Sequence, residues 1–422
     1  MRAPTPHSFG RPVRTRRARV AGFSLLELML AVVAGGFLIS AVYFASSRSS
    51  KTFQEQQRIA QTQLSLRAAM EQIRADAARA GFLASPNSTT DPFVCVPRPT
   101  NRIQAVRLTN APLPTTVSGT YRGLPAALMA YNPPPIFRTA PGCADDSCMP
   151  DVLELVGSFD SPEEFHAQWV NTSNRQIGLQ SWTQSFRRAC PTATDCNAIF
   201  APGRWIRVAN TSGFAQFVQI QSFSVTCPAG APCTAGTIVY TGTLQTTSAS
   251  TACGVTGLGT GSRIGVLSGV RYFIGQVPAA LSLANRGTSA ADNTATKSDL
   301  IRERFSLPIV GGPVLGMSIA LEYGVEFDVR FVVNTAPNNQ PANLVVRDSA
   351  TSETTAPEDV RSMIVRVSAR TRDEDDMWPF VPRGVGQPLT SLRVRAADSA
   401  NSARVRSMVS EIALPNLIGP GQ

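Results

Sequence analysis

From Leu28 to Ala45 the chain carries no charged residue and is apolar or small at almost every position. About eighteen residues at about 1.5 Å each make roughly 27 Å of helix, enough to cross the hydrocarbon core of a bilayer. The pattern then changes without a break. Ile59, Leu66, Met70, Ile73 and Ala77 recur at helical spacing, and Gln54, Glu55, Arg58, Arg67, Glu71 and Arg74 fill the positions between them. That is one apolar face of an amphipathic helix. No proline interrupts residues 23–83, while Gly81 and Pro86 mark a stop. The spacing predicts one helix from Phe23 to Ala80, roughly 87 Å long at about 1.5 Å per residue. Its first half, 23–47, is a membrane or assembly segment, and its second half, 48–83, packs on whatever follows. Gly35 and Gly36 interrupt the apolar half. Each costs about 1 kcal/mol in a helix interior, so they mark either close helix packing or a weak point where the helix unwinds.

From residue 84 to 422 the period shortens to that of strands. Residues 102–108, 151–156, 270–274, 300–306, 317–333 and 360–371 are strand candidates. Residues 205–209 and 214–223 flank Asn210-Thr211-Ser212-Gly213 and predict a hairpin. Ser161-Pro162-Glu163-Glu164-Phe165 predicts the start of a surface helix. Stretches rich in Gly, Pro, Ser, Thr and Asn at 241–262, 284–298 and 334–358 predict long loops. The expected fold class is α+β: a long N-terminal helical stalk packed on a β-rich C-terminal head.

Charge changes the picture at the start of the chain. The formal net charge is +10, and only Lys51 and Lys297 are lysines. Arg2, Arg11, Arg14, Arg16, Arg17 and Arg19 precede the apolar run with no acidic residue among them. Positive flanks stay in the cytoplasm. The excess is therefore mainly a retention signal, and a nucleic-acid partner loses its main support. A secretory signal peptide fits poorly, because the small Ala21-Gly22 pair comes before the apolar run rather than after it. Glu27 sits near the start of the run, where burial in lipid costs several kcal/mol unless it finds a partner.

Gly22-Phe23-Ser24-Leu25-Leu26-Glu27 resembles the cleavage signal of type IV prepilins and type II secretion pseudopilins. The resemblance implies cutting by a prepilin peptidase between Gly22 and Phe23, so that 1–22 is a disposable leader. It implies methylation of the new Phe23 amine, and pairing of Glu27 with the N-terminal amine of a neighbouring subunit during assembly. The leader is longer than is usual for the family, and the family's common proline in this half of the helix is absent. Weaker likenesses at 323–331, 357–371 and 404–414 favour PilW-type minor pilins. These imply a structural protein of a type IVa pilus that primes assembly and sits at the tip. Its expected partners are other minor pilins, the major pilin, a PilY-type adhesin, the inner membrane, and the assembly platform and secretin. The head would lie in the periplasm and then at the cell surface. A J-type pseudopilin shares the N-terminus. A membrane-tethered binding protein or hydrolase is the rival from another class.

All eight cysteines lie in the head, which suits an oxidising compartment. The spacing favours the local pairs Cys143/Cys148, Cys190/Cys196 and Cys227/Cys233, with Cys95 and Cys253 bonded to each other or free. Zinc is disfavoured, since the intervals are not C-x2-C and one of only two histidines, His7, lies in the leader. Asp373-Glu374-Asp375-Asp376 is spaced closely enough to hold calcium, but such a run more often forms a solvated loop. A catalytic triad would have to use His166, and no nucleophile motif accompanies it. No enzyme activity and no cofactor are expected.

Overall fold

A computed structural model describes residues 24–95, 98–99, 102–109, 151–228, 233–244, 257–275, 299–307, 314–336, 343–347, 356–371, 375–379, 393–395 and 401–417. Its compact units are Met1–Gln57 and Arg58–Gln422. Helix α1 (Leu25–Ala77) begins in the first and ends in the second.

Within the second unit the apolar stripe of α1 is buried from Leu66 onward, whereas Ile59, the first residue of the predicted stripe, is only half-buried. Leu66, Ala69, Met70, Ile73 and Ala77 are each at most 2% exposed. Each large side chain on that face contributes about 1.5–3 kcal/mol by leaving water. The helix stops at Ala77, three residues before the expected end. Gly81 takes φ +78°, a left-handed conformation that only glycine adopts without cost. The Gly81 N–H donates to Val156 O at 2.8 Å, and Ala80 bridges Gly157. At Gly157 a Cβ would lie 2.2 Å from Arg79 O, so only glycine admits this approach of helix end to strand.

Five strands form a first antiparallel sheet in the order β1 (Val106–Thr109), β2 (Val152–Gly157), β8 (Arg263–Gly275), β9 (Asp299–Phe305), β10 (Val314–Leu321). A second sheet has the order β12 (Leu344–Arg347), β11 (Gly324–Asn334), β13 (Val360–Arg370), β16 (Asn401–Ala413). Short strands β14 (Asp375–Pro379) and β15 (Arg393–Arg395) pair with the leading end of β16. One core joins the two sheets to α1. Leu153, Leu155, Val270 and Tyr272 enter it from the first sheet, and Phe327, Val329, Phe331, Met363 and Val365 from the second.

The segment expected as one strand over 317–333 is two strands in different sheets. β10 pairs with β9, whereas β11 pairs with β13. The chain crosses at Tyr323, which takes φ +55° and donates its N–H to Asp299 Oδ1 at 2.9 Å.

Between β2 and β8 the chain builds a barrel. Strands β3 (Phe165–Asn171), β4 (Gln176–Leu179), β7 (Ala235–Thr241), β6 (Ala215–Thr226) and β5 (Trp205–Ala209) pair in that order. The leading half of β8 pairs with both β3 and β5 and closes the ring. Each strand turns two alternate side chains inward: Phe165 and Ala167, Ile177 and Leu179, Ile206 and Val208, Val218 and Ile220, Ile238 and Tyr240, Ile264 and Val266. That is the period of two a barrel wall requires. The predicted hairpin is β5–β6. Asn210 Oδ1 accepts from the N–H groups of Ser212 and Phe214, and Gly213 takes φ +92°. The helix expected to start before His166 is instead β3. Phe165 fills the barrel, and edge pairing with Ile264 holds the segment extended.

Candidate functional site

The N-terminal end of α1 is a reciprocal cap. Ser24 N–H donates to Glu27 Oε2 at 3.3 Å, and Glu27 N–H donates to Ser24 Oγ at 3.2 Å. This is the capping-box arrangement of a hydroxyl and a carboxylate three residues apart. It satisfies two of the N–H groups that a helix start leaves unpaired. The Glu27 carboxylate also lies at the positive end of the helix dipole. Its second oxygen makes no hydrogen bond among the described residues, so a cation could approach it without breaking the cap. Sequence reasoning singled out Glu27 for its charge and passed over this structural use, although Ser24-x-x-Glu27 signals it. Gly22 and Phe23 lie outside the described residues.

After the cap, apolar side chains point outward on every side of the helix. Leu25, Phe37 and Tyr43 are each at least 70% exposed. An eighteen-residue window here has mean hydropathy 2.3 and no buried residue. It is long and apolar enough to cross a membrane. Helix α1 runs through Gly35 and Gly36 unbroken. Ser40 Oγ donates to Gly36 O at 2.8 Å, and a Cβ added at either glycine would meet nothing within 4 Å.

The opposite end is fastened by charge. Asp76, on the buried stripe, accepts from Arg302 Nε at 2.6 Å and Nη2 at 3.0 Å, and from the Tyr272 hydroxyl at 2.6 Å. This bidentate pair fixes the rotation of the helix on the first sheet, because a fork geometry tolerates little turning. Burial and the neighbouring carboxylate push the Tyr272 hydroxyl above its ordinary range. Sequence reasoning missed this latch. Its only local signal was a carboxylate on an otherwise apolar stripe.

Two expected disulfides are present, Cys190–Cys196 and Cys227–Cys233. The first joins two short helices, α2 (Gln184–Ala189) and α3 (Ala193–Ile199), capped by Thr183 and Thr192. Phe186, Ile199 and Phe200 from this pair enter the barrel core. The second closes the connection from β6 to β7. Cys95 is also disulfide-bonded. Cys143, Cys148 and Cys253 lie outside the described residues, as do Asp373 and Glu374. Asp375 and Asp376 belong to β14, with Asp375 opposite Ser402 of β16. Among the described residues no three His, Cys, Asp or Glu side chains gather as metal ligands would. His166 sits on β3, where its carbonyl accepts from Gln180 N–H.

The chain matches no protein-family model, no curated protein and no solved structure.

Proposed function

We propose that the chain is a type IV prepilin-like assembly protein, of the PilW minor-pilin type, that helps to prime a pilus and stands in its tip complex. The observation that carries this reading is the course of α1. The helix that starts at Leu25, within the Gly22-Phe23-Ser24-Leu25-Leu26-Glu27 motif, exposes an apolar first half and buries one face of its last turns, from Leu66 to Ala77, in a β-rich head. A plain anchor needs the apolar half only. A subunit that packs beside others through its stalk needs the apolar half, the capped start and a face that docks on the head.

On this reading Phe23 is the mature N-terminus, and its amine meets the Glu27 carboxylate of a neighbour in a low-dielectric bundle. Opposite charges brought together there offset each other's burial. The head, with its connecting segments, faces the other tip components and a PilY-type adhesin. Mass spectrometry of the protein from its own membrane tests the reading directly. The expected mature chain begins at a methylated Phe23; an intact leader would overturn the proposal. A second check separates anchoring from assembly. Glu27→Ala is expected to insert in the membrane normally yet fail to enter sheared filaments, since the apolar run is untouched.

A further inference from the structure

One row of charge crosses four strands of the first sheet. The register sets Arg107 of β1 opposite Glu154 of β2, Glu154 opposite Arg271 of β8, and Arg271 opposite Glu303 of β9. These side chains leave the sheet on the face away from α1. Apolar clusters flank them, with Val156 and Phe305 on one side and Val152, Phe273 and Ile301 on the other. The Arg271 side chain is 3% exposed, Glu154 4% and Glu303 0%. Arg271 donates to Glu154 Oε1 from Nε and Nη2, both at 2.7 Å, and to Glu303 Oε1 from Nη1 at 2.9 Å. Its guanidinium also lies 4.6 Å over the Phe305 ring. Arg107 reaches Glu154 Oε2 at 3.6 Å but is 31% exposed.

Two carboxylates therefore share one buried guanidinium. With Glu154 taking two of the Arg271 bonds, Glu303 holds the weaker claim. Arg107 can balance the surplus only from the solvent edge and only through Glu154. Among the described residues Glu303 Oε2 has no hydrogen-bond partner, which is a costly state for an ionised oxygen in an apolar setting. Burial pushes both carboxyls up, and Glu303 to about 7. The other charged residues of β9 are engaged elsewhere. Arg302 holds Asp76, Arg304 holds Asp160, and Asp299 accepts from Tyr323 N–H. Opposite Glu303, β10 offers the uncharged Met317.

We propose that this row is a proton-operated latch, in which a proton on Glu303 seats β9 against β8 and its loss loosens the β9–β10 edge of the head. The sign follows from burial. The folded state holds this proton more tightly than the unfolded chain, whose glutamate has its ordinary value of 4.5. Stability is thus greatest in mild acid and falls as pH rises through the window from 4.5 to about 7.

The test uses the full chain in detergent micelles. Urea unfolding should give a folding equilibrium constant that drops roughly a hundredfold between about pH 5 and about pH 8. Glu303→Gln, neutral at every pH, should remove most of that drop. Hydrogen exchange corrected for intrinsic rates should show β9 and β10 losing protection with rising pH while β4 and β7 of the barrel keep theirs. Wild-type stability that stays flat or rises over this range overturns the proposal, as does a Glu303→Gln protein with the wild-type pH slope. If that variant fails to fold, the wild-type exchange pattern decides: equal loss in barrel and β9–β10 overturns the latch.

Discussion

Asp76 carries more of the architecture than its place in a helix suggests. Its carboxylate accepts from both a bidentate Arg302 and a buried Tyr272 hydroxyl. Removing one partner from such a pair leaves the other buried and uncompensated. Asp76→Asn is expected to cost about 3 kcal/mol in urea unfolding of the head, well above the median for point changes. Glycines make a second comparison. An added Cβ at Gly157 would strike the Arg79 backbone oxygen, whereas at Gly178 it would strike the Trp169 ring. Trp169 is 38% exposed and can swing outward; a backbone oxygen cannot. Gly157→Ala should therefore cost about 3 kcal/mol and Gly178→Ala under about 1 kcal/mol, read as shifts in the urea midpoint. At this scale the sequence drew attention to Glu27 and left Asp76 hidden. Glu27 announces itself by lying in an apolar run. Asp76 finds its partners more than 190 residues away, and no local pattern encodes such a meeting.

Legibility improves for elements whose signal is local. The buried stripe of α1, the β5–β6 hairpin and the strands at 151–156, 300–306 and 360–371 all show in the period of their apolar positions. What failed was context. Residues 162–164 look like a helix start, yet the following segment is held extended as β3 by its neighbours in the barrel. The two short helices α2 and α3 escaped notice because each is barely two turns long. Thr192 and Asp195 formed a recognisable cap, with Thr192 Oγ1 donating to Asp195 Oδ2 at 2.6 Å. The disulfide between these helices ties down a barrel end filled by Phe186, Ile199 and Phe200. Replacing Cys190 and Cys196 together by Ser should cost about 2 kcal/mol, the closure entropy of a short loop. Calorimetry under oxidising conditions would measure it, and the same loss should follow reduction of the wild type at that bond.

At the scale of the molecule, two long strands each serve two sheets: β8 joins the barrel to the first sheet, and β16 joins the second sheet to β14 and β15. On β8, Ile264 and Val266 face the barrel interior, and Val270, Tyr272 and Ile274 face the core shared with α1. All five are even-numbered, so one face of one strand supplies both interiors. A slip of a single residue would turn every one of them outward. The order of the chain adds a consequence in time. Strands β3 to β7 precede β8, yet β3 and β5 can be joined only by it. A chain emerging from its N-terminal end must therefore hold an unclosed five-stranded ribbon with two bare edges until β8 arrives. Such edges recruit strands from other molecules. The interval before residue 267 emerges is when this protein is most exposed to mispairing, and the Cys190–Cys196 and Cys227–Cys233 bridges both lie wholly within the part already delivered.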